Sequence, residues 1–107
     1  MTAFLIQTKP LPKTFDGRGQ VKGYRFEQID INRFACIYRV IHIETGSVHY
    51  EVFKRKTNTR FVPPVESYPT DKAFGIWAWT YRDVYDADQK FGILLDEGME
   101  TLKPEWR

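Results

Sequence analysis

His42 and His49 are the only histidines in the chain, and they stand on either side of Glu44-Thr45-Gly46-Ser47. If Thr45-Gly46 forms a two-residue hairpin loop, Glu44 faces Ser47, Ile43 faces Val48 and His42 faces His49. Glu44 and Glu51 then share the histidine face. Opposed strand positions lie about 4.5–5.5 Å apart, near enough for two imidazoles and a carboxylate to hold one ion. His42, His49 and Glu51 are therefore the candidate metal set. Histidines on the outer face of a hairpin are more often simply solvated, so the expectation is that the protein binds no metal or other cofactor.

Other reactive groups are sparse. The single cysteine, Cys36, lies in the apolar run "RFACIYRVI" and reads as a small buried hydrophobe, because an active thiolate needs a neighbouring base or cation. One cysteine allows no intramolecular disulfide and no cysteine-based metal site. The glycines at 17, 19 and 23 are spaced G-x-G-x-x-x-G and precede a strand pattern, whereas the dinucleotide fingerprint needs G-x-G-x-x-G before a helix. Ser47 and Ser67 lie outside any G-x-S-x-G elbow. "DVYDADQ" is the acidic opening of a helix, where the backbone dipole favours negative charge. An enzyme is not expected.

Binding residues are easier to nominate. "KRKTNTR" places Lys54, Arg55, Lys56 and Arg60 at a strand end. Tyr38, Phe53, Trp77, Trp79 and Tyr81 could supply stacking surface, and single-stranded nucleic-acid binders combine these two ingredients. The net charge of +2 is lower than a dedicated nucleic-acid binder usually carries. The first expectation is therefore a small non-enzymatic module that binds a protein partner, or a second copy of itself, through an aromatic sheet face. Single-stranded nucleic-acid binding through the same aromatics and the basic stretch 54–60 is the alternative.

These side chains must be positioned by few elements. A chain of 107 residues, 42% apolar and 28% charged, suits one domain. "TAFLIQT" reads as a first strand, residues 16–23 as a flexible polar loop and "YRFEQIDI" (24–31) as a second strand. The hairpin 34–56 follows, with Ile37, Ile41, Ile43, Val48, Tyr50 and Val52 taken as its core side. Cys36, Tyr38, Val40, His42, His49, Glu51 and Phe53 form its mixed side. The turn pairs Tyr38 with Phe53. A one-residue slip would exchange one strand's faces. Residues 57–72 contain three prolines and read as a flexible loop lying against the domain.

"AFGIWAWTY" (73–81) reads as a strand with Phe74, Ile76 and Ala78 on one face and Trp77, Trp79 and Tyr81 on the other. "DVYDADQKFGILLDEG" (83–98) carries Val84, Ala87, Phe91, Leu94 and Leu95 at helical spacing, with Thr80 or Asp83 as cap and Gly98 as terminator. Gly92 inside it suggests close packing on the sheet. Residues 99–107 are expected to be irregular, with Trp106 tucking back. The sum is an α+β fold: a mostly antiparallel sheet of about 4–5 strands with one C-terminal helix on one face. One helix roofs only one side, so loops, a partner or a second copy must cover the other. An uncovered patch of aromatic residues would mark an interface.

The order of hairpin, aromatic strand and helix with "DADQKF" resembles the WGR-type domains of some DNA-associated enzymes. The Trp-Gly-Arg-Gly core of that pattern is missing, with "GIWAWTY" in its place, so no residue role is carried over. The apolar patch at the N-terminus is short, lacks a preceding basic residue and gives way to proline and lysine, unlike a signal peptide. A cytoplasmic protein with no membrane partner is the expectation.

Overall fold

A computed structural model describes residues 8–102. Its elements are β1 (Thr14–Asp16), β2 (Tyr24–Ile31), β3 (Ala35–His42), β4 (Val48–Lys54), β5 (Thr57–Asn58), β6 (Val65–Glu66), β7 (Ala78–Tyr81) and α1 (Val84–Leu102). Five strands form one antiparallel sheet in the order β1-β2-β3-β4-β7, and β5 pairs with β6 in a small ribbon. This is the α+β arrangement expected from the hydrophobic periodicities. The strand expected over 2–8 and the tail 103–107, including Trp106, fall outside the described residues apart from Thr8.

The hairpin forms with a different register. Ile41 pairs with Val48, Val40 with His49, Tyr38 with Glu51 and Cys36 with Phe53. Each partner is displaced by two positions from the two-residue-loop pairing. The turn is wider because the Gly46 N–H donates to the His42 carbonyl at 2.7 Å and the His42 N–H donates to the Ser47 carbonyl at 2.8 Å. Gly46 takes φ +76°, a conformation glycine adopts without strain. A shift of two keeps each strand's faces, since strand side chains alternate with period two.

The mixed face is the better buried one. Phe26, Cys36, Tyr38, Val40, Phe53, Ala73 and Ala78 form a core there, and Leu11, Phe15, Val21, Tyr68 and Phe74 pack onto it. Phe15 stacks on Phe26 at 4.7 Å and Tyr38 on Phe53 at 5.6 Å, while Tyr68 meets Phe15, Phe26 and Phe53 edge-on. Such pairs are worth about 0.5–1.5 kcal/mol each beyond their buried area. On the expected core side, Ile37 and Val52 are buried under α1, but Ile43 and Val48 at the turn are exposed. The helix reaches β3, β4 and β7 and stops short of that end.

The segments read as loops carry structure. Residues 16–23 contain a 3-10 turn at Gly19–Val21, and 57–72 contain β5, β6 and a buried Pro69. They roof the aromatic core, as the limited reach of one helix requires. In β2 an irregularity between Gln28 and Asp30 sets Asp30 opposite Ile37 and Ile31 opposite Cys36, breaking the simple alternation.

Asp83 stands just before α1 and caps it, its Oδ1 accepting from the Tyr85 N–H at 2.7 Å. Ala87, Phe91 and Leu94 are buried. A fully buried Leu or Phe side chain contributes about 1.5–3 kcal/mol. The helix runs through Gly98 to Leu102, so residues 99–102 are helical rather than irregular. Gly98 packs on the Phe34 ring, with no room for a Cβ, whereas Gly92 faces open space. The packing role expected of Gly92 thus belongs to Gly98. Among the described residues no helix is long and apolar enough to cross a membrane.

Candidate functional site

The aromatic residues do not share a platform. Only Ala78–Tyr81 of "AFGIWAWTY" is strand; Gly75, at φ +90°, turns the chain before it. Trp77 therefore leaves the expected alternation and packs with the Phe53 core, while Trp79 and Tyr81 lie on the opposite side with α1. Ile76 points out to solvent. Tyr38 and Phe53 are 0% and 1% exposed and offer no stacking surface. Both tryptophans are half-buried, with the Lys56 Nζ 5.5 Å from the Trp77 ring centre and the Lys90 Nζ 4.0 Å from that of Trp79.

The basic stretch is also divided. The Arg55 Nε donates to Glu66 Oε2 at 2.7 Å and its Nη1 donates to the Asn32 carbonyl at 3.0 Å. The Glu66 Oε1 also accepts from the Leu11 N–H at 3.4 Å. Arg55 thus clips β4 to β6 and to the turn before β3. Arg60 lies exposed in the turn after β5. Lys54 and Lys56 are exposed and, among the described residues, have no ion-pair partner.

A groove of about 390 Å³ runs between this strand end and the last turns of α1. Phe34, Leu94, Gly98 and Leu102 give it apolar walls. Arg33, Lys54 and Lys56 stand on one side and Glu97 on the other. Arg33 and Phe34, which the sequence reading did not nominate, enter because the turn before β3 folds beside Lys54. An Asx turn shapes it, with the Asn32 Oδ1 accepting from the Phe34 and Ala35 N–H groups at 2.8 and 2.9 Å.

A second polar feature lies beneath the sheet's other face. Glu51 is the one charged side chain buried among the described residues, at 6% exposure. The Tyr68 O–H donates to its Oε1, and the His49 Nε2 is 3.1 Å from its Oε2. Burial, then the Glu51 charge, holds the Tyr68 phenol well above its ordinary pKa. The wider turn separates the histidines that the metal reading paired: His42 Nδ1 bonds Thr45 Oγ1 at 2.8 Å, and both rings pack against Tyr24. No cluster of three metal-ligating side chains exists among the described residues. Tyr68 completes the Glu51 cluster from 17 positions away, a juxtaposition with no local sequence signal.

The chain matches no protein-family model, no curated protein and no solved structure.

Two kinds of chemistry are open to this geometry. The groove pairs apolar walls with Arg33, Lys54 and Lys56, which among the described residues have no carboxylate partner, although Arg33 lies over the Phe34 ring and Lys56 over that of Trp77, and this suits an anionic group carried beside an apolar one. The Glu51 cluster holds a carboxylate away from water with hydrogen-bond donors on both oxygens. Cys36 takes part in neither: burial, followed by the Glu66 charge, pushes its thiol up to about 12, which leaves it protonated and a poor nucleophile.

Proposed function

We propose that the protein is a non-catalytic binding module whose partner is a protein segment carrying acidic side chains around an apolar anchor. The observation that carries this reading is the groove beside α1, with Phe34, Leu94 and Gly98 below and Arg33, Lys54 and Lys56 at its border. Leucine-sized side chains suit a space of about 390 Å³, and flanking carboxylates would meet the three cations. Glu97 on the far wall disfavours acid there and so gives the bound segment a direction. This reading moves the binding surface from the aromatic sheet face to the helix–strand border. Nucleic acid is less well served, because the half-buried tryptophans are covered by their own lysines and Tyr38 and Phe53 are enclosed.

The test uses a fluorescent peptide of alternating aspartate and leucine, a lysine–leucine peptide of the same length, and a labelled oligouridylate. The acidic peptide should bind, weaken with salt, and lose about tenfold in affinity in the Lys54→Glu, Lys56→Glu double variant, a change worth ~1.4 kcal/mol. Equal binding of the acidic and basic peptides, or preferential binding of the oligouridylate, overturns the reading. So does concentration-dependent dimerisation that buries Phe34 and excludes the peptide, which would make a second copy the occupant.

A further inference from the structure

The cavities around Glu51 lie on the opposite face of the sheet from α1 and have no part in the groove. One, of about 740 Å³, has Glu51, Tyr68, Asp71 and Phe74 among its walls. Another, of about 240 Å³, is walled by Glu51, His49, Tyr24 and Phe26. Gln20, Val21 and Glu51 border both, so the two cavities adjoin at the Glu51 side chain and form one recess for a ligand. The combined space falls within the range of small-molecule sites.

We infer that this recess binds a small organic cation, an amine or an amidine, whose charged group sits on Glu51. The reason is the mismatch between the carboxylate and its surroundings. An ionised carboxylate offers about four acceptor positions. The protein supplies one phenol and one imidazole, and the imidazole is charged only when protonated. No lysine or arginine among the described residues lies within ion-pair distance of Glu51. A buried carboxylate without a permanent counter-charge is costly, and a cation entering from the cavity side relieves that cost. Phe74 and Tyr24, both partly exposed, add ring surface suited to the apolar part and the charge of such a molecule. Asp71 adds a second negative group to the larger cavity, while Arg18 on its border is the one opposing charge. This inference is independent of the groove and survives its failure.

Benzylamine is the probe, with benzyl alcohol as its neutral counterpart of the same shape. Calorimetric titration of the full chain should give saturable binding of benzylamine with a Kd near ~1 mM and at least tenfold weaker binding of the alcohol. Glu51→Gln keeps the shape and removes the charge, and should abolish the preference. In case that variant does not fold, amide NMR of the unsubstituted protein gives an independent reading. Benzylamine should shift the signals of residues 17–23 and 70–74 and leave those of 97–102 in place. Equal affinity for the two probes, no saturable binding, or shifts confined to the α1 groove would each overturn the inference.

Discussion

Gly92 and Gly98 lie in one helix, and alanine should stabilise at the first and be neutral to destabilising at the second. Both substitutions remove the helix-interior penalty of glycine, about 1 kcal/mol. At Gly92 no atom beyond its own turn of helix lies within 4 Å of the added Cβ, so that gain is free, and Gly92→Ala should stabilise by about 1 kcal/mol. At Gly98 the Cβ would stand 2.3 Å from the Phe34 Cγ and 2.5 Å from both Cδ atoms, where the ring must move. Overpacking of this kind costs about 1–3 kcal/mol, so Gly98→Ala should end between neutral and about 2 kcal/mol destabilised. Propensity cancels in the comparison of the two variants, and the difference isolates the clash. Urea unfolding followed by tryptophan emission measures it, and thermal midpoints should move by about 4–8 °C per kcal/mol. The Phe34→Leu background should remove most of the difference. If Gly98→Ala proves as stabilising as Gly92→Ala, Phe34 does not rest on the helix backbone, and the groove as described here is wrong.

Two further predictions concern buried polar groups. Burial, then the nearby Cys36, raises the Tyr38 phenol to about 12, as burial does Cys36 itself, and Tyr68 is raised too. Each group binds its proton more tightly folded than unfolded, so its stabilising effect is complete below about pH 9 and is lost as pH rises towards 12. Urea midpoints should be flat from pH 7 to about 9 and fall steeply above it; a midpoint that rises there refutes the burial of these groups. Arg55→Ala leaves the Glu66 carboxylate, 9% exposed, without its cation, and should cost about 1–3 kcal/mol after discounting for the 30% exposure of the arginine. Lys54→Ala should change stability by less than about 0.5 kcal/mol. Equal effects would mean that Arg55 is not a clip.

Periodic features were legible in the sequence. β2 spans the stretch that alternation marks, and α1 begins at the acidic cap and buries Ala87, Phe91 and Leu94 at the expected spacing. Features set by single residues or distant pairs were not. Gly75 ends the regular alternation before Ala78, which no count of aromatic residues reveals, and so Trp77 parts from Trp79. The hairpin turn is set by hydrogen bonds between His42 and Ser47 and between Gly46 and His42, which the residue types do not announce. The face chosen as core was the more aliphatic one. The more buried face is aromatic, and its burial depends on Phe15 and Tyr68, contributed by a three-residue strand and a proline-rich stretch. Of the nominated binding residues Lys54, Arg55 and Lys56 line the groove, with Arg55 tied to Glu66 and Lys56 lying over the Trp77 ring. Leu94 is core, as its helical spacing implies, and also walls the groove, while Phe34 has no signal of its own in the sequence.

The strand order carries one more implication, for behaviour at high concentration. A sheet that does not close has two open borders, each offering backbone donors and acceptors to any foreign strand. Here those borders are β1, three residues long, and β7, four residues long, with the Ala78 carbonyl already taken by the Gly75 N–H at 2.7 Å. The three long strands, which would be the most adhesive, lie between these two in the strand order, with β3 paired along its length on both sides. Among the described residues, molecules crowded together therefore find only short border strands to extend, and the longest opening is the end of β2 beyond its pairing with β1, from Gln28 to Ile31.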